Sequence, residues 1–136
     1  MTQEQKDLLL KDLCGRLPYG VKGMLCEDCI CTLDKVWTKK GYESVVFAGD
    51  YYDVDCFKPY LFPLSSMTEE QQKEANLFDD MDMDILSENL GRNHRNKTNI
   101  PTATYNYTDW LNKNHFDYRG LIPMGLAIDC TNLNIY

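Results

Sequence analysis

The chain has 136 residues, a net charge of −7, 43% apolar residues and 26% charged ones. That length suits one domain of about 100–200 residues, and the apolar share is enough for a folded core. The negative balance argues against a nucleic-acid backbone as main partner, since phosphates demand clustered Lys and Arg. No run nears the about 18 apolar residues of a membrane-spanning helix.

The N-terminus, "MTQEQKDLLLKDL", lacks the basic start and small-residue cleavage site of a signal peptide, so the expected compartment is the cytoplasm. Thr2 and Gln5 form a capping-box pattern that predicts a helix start. Leu9, Leu10, Leu13 and Leu17 follow at helical spacing, with Lys6, Asp7, Lys11 and Asp12 expected outside the stripe. Gly15, Pro18 and Gly20 punctuate the end.

Residues 21–57 change character. "VKGML", "CICTLDKVW" and "YESVVFAG" are rich in β-branched and aromatic residues and are separated by "CEDC" and "TKKG" turns, which predicts a small antiparallel meander. In the second of these strands Cys29, Cys31, Leu33 and Trp37 are assigned to one face, and Ile30, Thr32, Asp34 and Val36 to the other. "DYYDVDCF" adds an edge strand protected by its charges. The proline-bounded "KPYLFPLSSM" reads as neither a long helix nor a central strand, and is expected to lie across the sheet with Tyr60, Leu61, Phe62 and Leu64 inward.

Thr68 and Gln71 repeat the capping box and begin a second helix, "EEQQKEANLF". "DDMDMDILSENLG" reads as an edge strand turning helical, "GRNHRNK" as a solvated basic loop, and "TATYNY" as a strand. Thr108 is expected to cap a short helix, "DWLNKNHF", that buries Trp110 and Leu111. The expected whole is a single compact α+β domain over 1–136: a small antiparallel sheet of three to five strands packed on an N-terminal helix and one or two shorter helices.

Three constellations bear on chemistry. Cys26, Cys29 and Cys31 in "CEDCIC" hold metal-ligand types, but structural zinc wants four S or N ligands, and Cys14, Cys56, Cys130, His94 and His115 are scattered singly. Buried apolar thiols are the favoured reading, so no cofactor is expected and zinc is the one candidate. Asp80, Asp82 and Asp84 have the spacing that opens a calcium loop, yet Ile85 and Gly91 stand where glycine and glutamate are needed.

In "NHFDYRGLIPMGLAID", His115 and Asp117 are candidates for a catalytic base and its orienting carboxylate, with Arg119 holding an anion. No nucleophile lies beside them in sequence, and pairing of Asp117 with Arg119 at a turn is the favoured reading. The aromatics Tyr51, Tyr52, Phe57, Tyr60, Phe62, Tyr105, Tyr107 and Trp110 are many for a small core, and any that are exposed together mark a partner or ligand surface. Arg119, Tyr60 and Trp110 are the candidate ligand contacts.

Three blocks, "LLLKDLCGRLPYGVKG", "KPYLFPLSSMTEEQ" and "DWLNKNHFDYRGLIPMGLAID", resemble a family of small uncharacterised proteins from gut bacteria and their phages or mobile elements. The resemblance implies a scaffold made by these blocks and a variable sheet between them that carries recognition. It transfers no functional residue. The favoured function is a non-enzymatic binding module that contacts a protein partner, a host factor if the chain is phage-borne. One alternative is a small-ligand protein that sequesters a nucleotide-type molecule through Arg119, Lys58 or "GRNHRNK". The other is a small hydrolase using His115 and Asp117.

Overall fold

The computed structural model describes residues 1–39, 42–77 and 107–136. The fold is α+β, in two compact units: Met1–Leu64 with Asn112–Tyr136, and Ser65–Leu111. Among the described residues no helix is long and apolar enough to cross a membrane.

The first unit begins with helix α1, Gln3–Arg16. Its capping box closes both ways, the Thr2 hydroxyl accepting from Gln5 N–H at 3.1 Å and the Gln5 amide accepting from Thr2 N–H at 3.0 Å. Two donors that a helix start leaves open are thereby satisfied. Leu9 and Leu13 are fully buried; so, against expectation, is Asp12, and Arg16 is buried with it. Gly15 does not end the helix but lies in its last turn, where a Cβ would come within 3.0 Å of the Asn112 amide.

A five-stranded sheet follows, built on β1 (Lys22–Leu25), β2 (Cys29–Thr32), β6 (Phe57–Pro63), β7 (Phe116–Asp117) and β8 (Ile128–Asp129). β1 pairs antiparallel with β2 and β6, while β7 and β8 pair parallel with β6. A separate three-stranded antiparallel sheet holds β3 (Lys35–Lys39), β4 (Tyr42–Phe47) and β5 (Asp50–Asp53), with β4 in the middle. The expected meander is therefore two sheets, one of them mixed.

The division falls inside "CICTLDKVW". Leu33 N–H still bonds the Val21 carbonyl of the first sheet at 3.0 Å, whereas Asp34 N–H bonds Val46 of the second, also at 3.0 Å. The Asp34 carboxylate then accepts from Ala48 N–H at 2.8 Å, which fixes the crossing.

"KPYLFP" also differs from expectation, because β6 is a central strand. The carbonyl of Cys56, the residue before β6, takes the Cys26 N–H at 2.7 Å, and counting the antiparallel alternation from that bond turns the Pro59 nitrogen away from β1. The pairing of β6 with β8 starts one residue later, at Tyr60 opposite Ile128, so the missing N–H interrupts neither ladder. Tyr60 and Leu61 are buried as expected, Phe62 is half-buried and Leu64 is exposed.

One apolar core joins these parts. Leu9 and Leu13 of α1 meet Leu25, Cys31, Phe57 and Leu61 of the first sheet, Val45 of the second, and Leu121, Leu126 and Ala127 of the C-terminal strip. Val36, Phe47 and Tyr52 pack at its margin, which shows that the second sheet turns one face inward.

In the second unit, α2 (69–77) starts with the expected box, Thr68 and Gln71 exchanging bonds of 2.9 and 3.2 Å. α3 (107–113), whose residues up to Leu111 belong to this unit, includes Thr108 rather than being capped by it and stops short of Phe116. Leu111 is buried and Trp110 half-buried. The Asp80–Asp82–Asp84 pattern, "GRNHRNK", "TATYNY" and Tyr105 lie outside the described residues.

Candidate functional site

Asp12 and Arg16 stand one helical turn apart on α1, both 0% exposed. Arg16 donates Nε to one carboxylate oxygen at 2.7 Å and Nη2 to the other at 3.1 Å, and Nη2 also reaches the Phe116 carbonyl at 2.6 Å. A side-on, two-point pair of this kind offsets the desolvation that burying two charges entails. Arg16 Nη1 has no hydrogen-bond acceptor among the described residues. Arg119 approaches the same carboxylate, its Nε 3.2 Å from Asp12 Oδ1 but at an angle that makes an ion pair rather than a hydrogen bond.

Both guanidiniums also approach the Tyr118 ring, Arg16 at 5.3 Å and Arg119 at 5.0 Å from its centre. Its hydroxyl donates to Asn112 Oδ1 at 3.0 Å and accepts from Arg119 Nη2 at 3.3 Å. The expected Asp117–Arg119 pairing thus gives way to Asp12–Arg119. Asp117 instead accepts the Leu121 and Ile122 backbone N–H groups at 2.8 and 2.9 Å, pinning the turn that begins the glycine–proline strip.

His115 is 8% exposed and lies flat on Tyr136, ring centres 3.5 Å apart and planes 9° from parallel. Burial, then the positive charges of Arg16 and Lys22, push its pKa down to about 4, so the ring is neutral near pH 7. Its Nδ1 has no hydrogen-bond partner among the described residues. His115 and Asp117 are two residues apart, yet each is engaged separately.

Tyr136 completes this corner. Its hydroxyl accepts from Lys22 N–H at 2.9 Å and donates to the Tyr60 carbonyl at 3.0 Å, and burial of that end pushes its pKa up to about 12. Tyr60, a candidate ligand contact, is 2% exposed beneath it. Trp110 belongs to the second unit, where its indole N–H donates to Glu74 at 3.0 Å.

The three zinc candidates are not gathered. Cys31 is buried, with its thiol pushed up to about 11 by burial first and Cys29 second, whereas Cys29 and Cys26 are exposed. Among the described residues no three His, Cys, Asp or Glu side chains converge as metal ligands.

The outward face of the second sheet has a different character. Cross-strand register places Lys35, Trp37 and Lys39 of β3 on one face with Tyr42, Ser44 and Val46 of β4 and Tyr51 and Asp53 of β5. Trp37, Tyr42 and Tyr51 are 41%, 69% and 57% exposed. Trp37 meets Tyr51 edge-on at 6.1 Å, and the Lys35 ammonium sits 5.7 Å from the Tyr51 ring centre. Val46, opposite both Lys35 and Tyr51, is buried, so its larger neighbours on this face shield it.

Taken as one strand, "CICTLDKVW" sets Trp37 on the face of Cys31 and Leu33 and so conceals this surface. The available signal was local, since Lys35 and Lys39 share the parity of Trp37 and lysines rarely face a core. Searches against protein-family models, curated proteins and solved structures found no match.

Proposed function

We propose that this chain is a non-enzymatic binding module that takes a protein partner on the outward face of β3–β5. The observation carrying this reading is the cluster of exposed Trp37, Tyr42 and Tyr51 on one sheet face with Lys35 and Lys39. Tyr and Trp give large contact area with little side-chain entropy to lose, and they dominate the energetics of interfaces. Two lysines on this face of a chain with net charge −7 favour a partner segment that is acidic and partly apolar. The resemblance to phage and mobile-element proteins makes a host protein the natural place to look.

The polar cluster shared by α1 and the C-terminal turn supports the same conclusion from the other side. Asp12, Arg16, Asp117 and Arg119 are engaged with one another, with Tyr118 or with backbone, as a brace is. The hydrolase reading would need a carboxylate oriented on His115, and the nucleotide reading a free cation at Arg119.

A photo-reactive residue placed at Tyr42 should crosslink one reproducible protein from host lysate, and the same residue at Ile30 on the other sheet should not. In the Trp37→Ala/Tyr51→Ala background the yield should fall at least about tenfold while circular dichroism shows the chain still folded, as expected for loss of interface aromatics. Capture that ignores this double substitution, or no reproducible capture, refutes the proposal.

A further inference from the structure

We propose that Cys26 and Cys56 form a thiol–disulfide exchange site, a dithiol that reduces a disulfide co-substrate and closes into an intramolecular bond. The geometry comes from the sheet. Leu25 pairs with Phe57, and one residue beyond that register the Cys26 N–H bonds the Cys56 carbonyl at 2.7 Å, Cys26 standing in the turn after β1 with a φ of +51° and Cys56 closing the 3-10 turn before β6. A fully hydrogen-bonded antiparallel pair holds its Cα atoms about 5.5 Å apart, inside the roughly 4.4–6.8 Å that a disulfide spans, and the single bond here draws the two cysteines toward that spacing. Cys26 and Cys56 line one cavity of about 240 Å³ together with Met24, Glu27, Asp55 and Lys58.

The two thiols differ in a way that assigns their order. Cys26 is exposed and Cys56 half-buried. Burial, then a hydrogen bond with Cys26, then the charges around it including Asp53 and Asp55, hold the Cys56 thiol above its ordinary value. Cys26 is therefore the attacking group. Its thiolate displaces one half of the co-substrate as a thiolate and forms a mixed disulfide. Cys56 then loses its proton to that leaving thiolate and attacks the Cys26 sulfur, expelling the second half. In sum, two protein thiols lose two electrons and two protons, and one disulfide becomes two thiols.

The sequence pattern Cys-x-x-Cys suggests Cys29 as partner, but the strand places it elsewhere. Cys29 sits opposite Leu25 and so shares the face of Leu25, one residue out of phase with Cys26. Cys31 and Cys130 are buried, with thiols pushed up to about 11, which makes them poor competitors. The loop closed between Cys26 and Cys56 contains β2 and the whole second sheet, so oxidation would tether that sheet at its base.

The test uses the purified full chain and glutathione disulfide in mildly alkaline buffer, followed by alkylation and peptide mapping. The expected product lacks two hydrogens, contains a Cys26–Cys56 crosslinked peptide, protects two of the six cysteines from alkylation, and reverts with a dithiol reductant. Cys56→Ser should stop at a glutathione adduct on Cys26, and Cys29→Ser should behave as the parent chain. A Cys26–Cys29 bond, a stable glutathione adduct on the parent chain, or no reaction overturns the proposal. The parent chain's peptide map decides even if a variant fails to fold.

Discussion

Acid should unsettle this fold through His115. The ring titrates at about 4 when folded against an ordinary 6.5, because it is buried beside the positive charges of Arg16 and Lys22. A depressed pKa means that the fold accepts only the neutral ring, so the unfolded chain binds the proton first. Stability from this group is complete above about pH 6.5, falls as pH drops toward 4, and is level below that. A tenfold difference in proton affinity between the folded and unfolded chain is worth about 1.4 kcal/mol, which sets a ceiling of about 3 kcal/mol; solvent reaching the ring edge brings the expected loss to about 2 kcal/mol. Urea unfolding across that range measures it. His115→Phe keeps a flat ring over Tyr136 and removes the titration. The backbone at His115 has a φ of +62°, so Phe there carries strain of its own and the comparison is between pH slopes rather than absolute stabilities. If the two proteins lose stability in parallel between pH 6.5 and 4, the reasoning is refuted.

Two further substitutions test the packing. Asp12→Ala leaves two guanidiniums beside a vacated carboxylate and should destabilise by about 3–5 kcal/mol in denaturant unfolding, whereas an Asp12→Leu/Arg16→Leu pair should lose less than Asp12→Ala alone. Gly23→Ala would set a Cβ against the Phe57 ring and 2.6 Å from the Lys58 carbonyl, where backbone cannot yield cheaply. A loss of about 3 kcal/mol or no folded protein is expected, and a neutral result would show that β1 and β6 can separate locally.

What could be read in advance was what neighbours in sequence decide. Thr2 with Gln5 and Thr68 with Gln71 exchange bonds over three residues, so the pattern and the structure coincide. Charge alone points Asp12 outward, yet Leu9, Asp12, Leu13 and Arg16 fall at i, i+3, i+4 and i+7 of one buried stripe. What holds Arg16 inside includes the Phe116 carbonyl, 100 residues away, and no local pattern reports such a partner. The change of sheet at Leu33 and Asp34 was equally hidden, because the alternation of side chains runs on while the hydrogen-bond partner switches. Pro59 shows a third limit, since whether a missing N–H matters depends on which side of the strand carries a neighbour at that residue.

The position of β6 has a kinetic consequence. It joins β1, which precedes it by a long excursion through the second sheet, to β7 and β8, which follow after more than fifty residues. No short hairpin can nucleate these pairings, so loop closure must be met before any of them stabilises the chain. Refolding should be correspondingly unhurried, in the millisecond-to-second regime rather than microseconds. Until the late strands dock, one side of the strand remains open to pairing with a neighbouring chain, and dilute conditions will favour recovery of the native molecule.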